Sequence, residues 1–181
     1  AYPGWIWKGD TSSHETTGHV FALSVVASLS PLASERRVAQ ELLVNFVGGL
    51  VENDFLLIDV TGNATTWGRW SPKYVNDWRD FSDERGLQSL QMLAYLAAAA
   101  KVSTGGGKWA QAYAELTNAT NQYNENMIDL KIKSPCDINY SDDELTFLPY
   151  FTYLFVCPAQ QPKPNQSSSS SSCDGFDVTF A

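Results

Sequence analysis

Gly18-His-Val-Phe-Ala-Leu-Ser-Val-Val-Ala-Ser-Leu29 carries apolar residues on every side of a helical wheel, which predicts a helix buried all round instead of one lying on a surface. Pro31 ends it. The segment that follows, Ser34 to Leu50, differs in kind. Val38, Leu42, Leu43, Phe46 and Leu50 form one apolar stripe, while Arg36, Arg37, Gln40, Glu41 and Asn45 face away from it, the pattern of a helix with one face on a core. Gly48-Gly49 weakens its last turn.

This succession, all-apolar then amphipathic, recurs along the chain. Phe55-Leu-Leu-Ile-Asp-Val60 reads as a strand, Thr61-Gly-Asn63 as a turn and Thr65-Thr-Trp-Gly-Arg-Trp70 as the returning strand, so a hairpin is expected at about 55–70. Asp83 to Val102 is again helical and apolar all round from Met92, until Gly105-Gly-Gly107 breaks it. Lys108 to Thr117 is amphipathic through Trp109, Ala112, Tyr113 and Leu116. After an Asn-rich stretch, Ser141 to Val156 is apolar through Phe147, Leu148, Phe151, Leu154 and Phe155, with a kink expected at Pro149. Alternating inner and outer helices suit a concentric arrangement of helix pairs. The division read from this pattern is a helical domain over 1–157, a Pro/Ser-rich linker over 158–172 and a strand-like tail over 173–181.

A net charge of −8 argues against nucleic acid, whose phosphates call for basic patches, and against an anionic membrane surface. No apolar run approaches the roughly 20 residues of a membrane span. Ala1-Tyr-Pro-Gly4 lacks a signal-peptide pattern, so the chain reads as mature or as a piece of something longer. Four Asn-x-Ser/Thr sequons occur, at Asn63, Asn118, Asn139 and Asn165, where chance would supply roughly one or two. They predict a secreted, extracellular chain carrying covalent N-glycans. The Ser167–Ser172 run after Pro162-Lys-Pro164 fits an O-glycosylated stalk or a flexible linker.

Three cysteines fit an oxidising compartment. Cys136 and Cys157 flank a predicted helix about 24 Å long, and the five-residue link from Cys136 to Ser141 reaches at most about 17 Å. The expected disulfide is therefore Cys157–Cys173, with Cys136 free or intermolecular. No cysteine spacing makes a zinc site. His14-Glu-Thr-Thr-Gly-His19 places its two imidazoles about 140° apart on a helix, unlike a zinc-protease pair on one face. No phosphate-binding loop is legible, and neither metal nor cofactor is expected.

The string Lys8-Gly-Asp-Thr-Ser-Ser-His-Glu-Thr-Thr-Gly-His19 resembles the opening of a family of extracellular proteins with (α/α) toroid domains. Ile58-Asp-Val-Thr-Gly62, Trp67-Gly-Arg-Trp-Ser-Pro72, Asp83-Glu-Arg-Gly-Leu-Gln-Ser89 and Asn139-Tyr-Ser-Asp-Asp-Glu-Leu145 follow in that family's order, across roughly residues 7–156. The chain departs at His14, where an acidic residue is expected, and its legible helices fall well short of a closed ring. The resemblance implies a mainly α fold: a partial (α/α) toroid-like helix-pair arrangement with a small β-hairpin and a Ser-rich C-terminal tail. Many glycan-processing enzymes share the toroid, an analogy of fold only.

In a toroid the inner helices aim their N-termini into a central funnel. Here those ends carry Asp10, Glu15, Asp83, Glu84, Asp142, Asp143 and Glu144. Asp83 or Glu84 opposite Asp143 would suit the acid and base of inverting glycoside hydrolysis. Trp67, Trp70 and Trp78 would stack on sugar rings, and Arg69 would grip a hydroxyl or carboxylate. The competing reading is structural: Ser12-x-x-Glu15 and Ser141-x-x-Glu144 have capping-box spacing, and first-turn acids stabilise a helix dipole.

Asn139 precedes an inner helix and Asn63 marks the hairpin tip, so glycans on both would crowd the funnel rim. The balance favours a structural glycoprotein, a subunit of an extracellular fibre, appendage or surface layer that contacts other copies of itself. A polysaccharide hydrolase or a non-catalytic sugar-binding module is the alternative. The alternating segment Gly175-Phe-Asp-Val-Thr-Phe180 could pack on its own domain or add to a neighbour's sheet edge.

Overall fold

Ser12 opens the first helix with both halves of a capping box: its hydroxyl accepts from the first-turn backbone, and its own N–H donates to the Glu15 carboxylate at 2.9 Å. The capping reading of this acid is the one observed. The computed structural model describes residues 3–4, 6, 9–77, 84–103, 107–128 and 140–157, with backbone alone at 140–143. Trp78, Asp83, Cys136, Asn139, Asn165 and Cys173, the linker and the strand-like tail lie outside them, and so does the side chain of Asp143.

The described elements are α1 (Ser13–Leu29), α2 (Ala33–Glu52), β1 (Leu56–Ile58), β2 (Ala64–Arg69), α3 (Pro72–Val75), α4 (Arg85–Val102), α5 (Gly107–Leu116), α6 (Tyr123–Asn126) and α7 (Tyr140–Val156). The described residues are mainly helical with one two-stranded antiparallel sheet, as the hydrophobic periods predict. α4 is the centre. Every residue from Leu87 to Ala100 is buried, and the helix packs against α1, α2, α5, α6 and α7. Ala97 to Ala100 allow the neighbouring helices close to its backbone, while Leu90, Leu93 and Leu96 are fully buried, each contributing about 1.5–3 kcal/mol of apolar burial. α1, α4 and α7, the three helices read as all-apolar, contact one another. α5 buries Trp109, Ala112, Tyr113 and Leu116, the stripe read from its sequence.

Several expectations change in detail. α4 begins at Arg85, two residues later than predicted. α7 begins at Tyr140, which puts Ser141 inside its first turn instead of at its cap, and the helix continues through Pro149. α2 buries Ala39, Leu43, Val47 and Leu50, a face rotated from the predicted stripe, and leaves Val38 and Leu42 exposed. α3 and α6 have no counterpart in the sequence pattern, because a single turn is too short to show a period.

The hairpin is held to α2 by a reversal. Asp54 and Phe55 both adopt left-handed backbone angles (φ 54° and 58°), a costly conformation for Phe that the buried ring stabilises. Phe55 then donates to Leu50 O at 2.7 Å and accepts from Trp70 N at 2.9 Å. Between the pairs Leu56–Arg69 and Ile58–Ala64 the register shifts by a bulge. Gly68 lies there, and a Cβ on it would stand 2.6 Å from both Leu57 Cβ and Thr65 Oγ1. Gly68→Ala should therefore cost about 1–3 kcal/mol through overpacking. Denaturant unfolding checks this, and an unchanged midpoint would contradict the bulge geometry.

Candidate functional site

α1 is inside out. Its inward side carries Ser13, Thr16, Thr17 and Ser24 beside Val20 and Ala27, whereas Val26 is exposed and Leu29 is 66% exposed. A helix buried all round was predicted, and one flank is uncovered. The reason lies in a hydrogen-bonded chain that fixes the rotation of the helix. Trp70 Nε1 donates to Gln91 Oε1 at 2.7 Å, and Gln91 Nε2 donates to Thr17 Oγ1 at 3.0 Å. Thr17 Oγ1 donates its own proton to Ser13 O at 2.8 Å, so Tyr95, 2.7 Å away, is the donor to Thr17. Each of these buried groups is satisfied, and buried polar groups without partners cost about 1–3 kcal/mol. Burial pushes the Tyr95 phenol far above its ordinary pKa and keeps it a neutral donor.

With that face turned inward, the apolar remainder of α1 faces out between α2 and α7, the two helices flanking it. Val38 and Leu42 extend the exposed apolar surface on α2. On α7, Phe147 (74% exposed), Phe151 and Leu154 extend it on the other side, with Phe21 of α1 edge-on to Phe151 at 5.3 Å and Phe155 stacked on Phe151 at 5.6 Å. Side chains that the sequence pattern assigned to a core thus form a band across three helices. Apolar patches of this kind mark interaction surfaces. Periodicity could not single the band out, because a helix apolar on all sides gives no sign of which side is covered.

Of the residues predicted for sugar chemistry, Trp67, Arg69, Trp70 and Glu84 fall among the described ones. Trp70 is 0% exposed, edge-on to Tyr95 with ring centroids 5.5 Å apart. It is a core residue and cannot stack on a sugar. Trp67 is 49% exposed on β2 and its carbonyl accepts from Gln88. Arg69 donates to Thr65 O at 2.7 Å and lies over the Tyr74 ring at 5.0 Å, so its guanidinium is committed to the hairpin's own neighbourhood. Glu84 is half-buried at the N-cap of α4 without making a side-chain cap bond. His19 Nδ1 lies 2.6 Å from Glu15 O, a carbonyl that only accepts, so this nitrogen carries the proton. Among the described residues no cluster of His, Cys, Asp or Glu could hold a metal ion. Cys157 is disulfide-bonded, and its expected partner Cys173 lies outside the described residues.

Two exposed carboxyls have definite roles. Asp10 accepts from Thr66 N at 2.6 Å, tying the segment before α1 to β2, and Asp59 accepts from Thr61 N at 2.7 Å within the hairpin turn. These bonds hold both groups below the ordinary carboxylate pKa: Thr66 acts on Asp10, and the Thr61 hydroxyl and N–H act on Asp59. A lowered folded-state value means stabilisation present above about pH 3.9 and lost as pH falls through the lowered value. The Thr66 amide should accordingly titrate in NMR spectra with a midpoint below the free-Asp value, and Asp10→Asn should abolish that step. A midpoint at or above the free value would contradict the assignment.

Asn63 and Asn118 are exposed, and neither lies on α1, α2 or α7. Asn118 Oδ1 accepts from Thr120 N and Asn121 N, which leaves its amide nitrogen, the atom a glycan would modify, out of both bonds. No helix of the described residues is long and apolar enough to cross a membrane. Compared with models of known families, with curated proteins and with solved structures, the chain finds no match.

Proposed function

We propose that the chain is a secreted, N-glycosylated structural subunit whose helix pairs form an open toroid-like arc, and that the band across α2, α1 and α7 is where it meets another copy. The observation that carries this reading is the outward apolar flank of α1, a helix whose hydroxyl-bearing side faces the core while Val26 and Leu29 are uncovered. An arc cut from a ring leaves such a flank, and a neighbouring subunit supplies the missing layer. The described sequons support it, since glycans at Asn63 and Asn118 would coat other parts of the surface. A fibre needs two different contact surfaces per subunit, whereas one self-complementary surface closes a dimer. The alternating segment Gly175-Phe-Asp-Val-Thr-Phe180 is the second contact in this reading.

Light scattering and electron microscopy of the glycosylated chain test it. Wild type should assemble. Val26→Glu with Leu29→Glu should give monomers while altering unfolding stability by no more than about 0.5 kcal/mol per site, as surface changes do. Deleting residues 174–181 should stop growth at dimers. Wild type that stays monomeric at every concentration would overturn the proposal.

A further inference from the structure

A cleft of about 490 Å³ opens where the hairpin leaves the helices. Its walls are Leu23 of α1, Leu42 and Phe46 of α2, and Leu57, Ile58 and Val60 of the hairpin. Two contacts fix the hairpin beside α1 and α2 at this cleft. Asp10 ties the segment before α1 to Thr66, and the Phe55 reversal bonds the start of the hairpin back to Leu50 of α2. Its size falls in the usual range for small-molecule sites, which are mostly apolar with a few polar groups that orient the ligand.

The polar groups here share one character. Asp10 and Asp59 both line the cleft, and each is oriented through one oxygen, Oδ1, by Thr66 N and by Thr61 respectively. His19 also lines it, its Nδ1 turned to Glu15 O. Among the described residues no Lys or Arg lines the cleft. An anion would meet two carboxylates in the lining, with Arg69 acting on Asp10 from outside it. A sugar would meet aliphatic walls with a single aromatic ring where stacking platforms are needed. A metal lacks a ligand cluster among the described residues.

We propose that this cleft binds a small amphipathic organic cation, its aliphatic or aromatic body against the leucines and Phe46 and its ammonium N–H groups on Asp10 and Asp59. Such charge-assisted bonds at the edge of an apolar wall are stronger than neutral ones. The cleft shares Leu42 with the band proposed for assembly, but its ligand and its readout differ, so failure of one reading is distinguishable from failure of the other.

Calorimetry and NMR titration of the full glycosylated chain with 4-phenylbutylammonium, 4-phenylbutanol and 4-phenylbutyrate provide the test. The ammonium should bind saturably with one site per chain, shifting the amides of Asp10, Leu57 and Asp59. It should bind about tenfold more tightly than the alcohol, the scale of one charge-assisted hydrogen bond, and the carboxylate should not bind. Asp10→Asn with Asp59→Asn should bring ammonium and alcohol to equal affinity. Leu42→Trp, at an exposed position that fills the cleft without disturbing the core, should abolish both. Equal binding of ammonium and alcohol by wild type, shifts confined to other regions, or no saturable binding would overturn the proposal.

Discussion

Trp70→Ala is expected to lower the free energy of unfolding by about 3–5 kcal/mol, a large share of the roughly 5–15 kcal/mol that holds a domain together. Three losses coincide there. The fully buried indole leaves a cavity, the edge-on contact with Tyr95 disappears, and Gln91 Oε1 loses its donor. Trp70→Phe separates them. It retains most of the apolar volume and removes the N–H, so its cost should fall to about 1–3 kcal/mol, the cost of one unsatisfied buried acceptor. Urea unfolding followed by circular dichroism measures both. A loss below about 1 kcal/mol for the alanine variant would mean that Trp70 is not a core residue.

The second large effect is a contrast between two leucines. Leu96→Ala on α4 should cost about 2–5 kcal/mol, because the side chain is fully buried at the centre of the helix assembly. Leu29→Ala on α1 should change the stability of a dilute subunit by no more than about 0.5 kcal/mol, since that side chain is mostly exposed. In the assembly proposed above the order of importance changes: Leu29→Ala should weaken association, and Leu96→Ala should act only through folding. Equal destabilisation of dilute subunits by both substitutions would remove the distinction between inner and outer flanks. Light scattering run beside the unfolding measurements separates the two effects.

Much of the fold was legible in the chain. The hairpin showed as alternating residues on either side of Thr61-Gly-Asn63, α5 as the Trp109, Ala112, Tyr113 and Leu116 stripe, and α4 as a run apolar in every direction. These signals survive because each is a local period that the core simply ratifies. The rotation of α1 was not legible. Thr17 and Gln91 are 74 residues apart, and nothing in the period of either helix says that their side chains meet. For the same reason Trp70 read as a surface aromatic: its partner Gln91 is a polar residue within an apolar helix, which a wheel counts against burial. The candidate site fared similarly. Val38 and Leu42 were recognised as apolar but assigned to the core, because hydropathy records what a side chain avoids and is silent on what covers it. Asp10 was singled out as a helix-end acid, whereas its bond to Thr66, 56 positions away, makes it a strut for the hairpin.

The buried chain from Trp70 through Gln91 and Thr17 to Tyr95 also bears on the speed of the association proposed above. If α1 were free to roll, an isolated subunit would hide its apolar flank by turning it inward, and docking would wait for the helix to turn back. Rolling would break both bonds to Thr17 and strand the Gln91 amide and the Tyr95 hydroxyl, so that competing conformer is suppressed. The flank is on offer from the moment the subunit folds. Encounter should then be governed by collision and orientation, with observed rates rising in proportion to subunit concentration, instead of levelling off at a slow internal step.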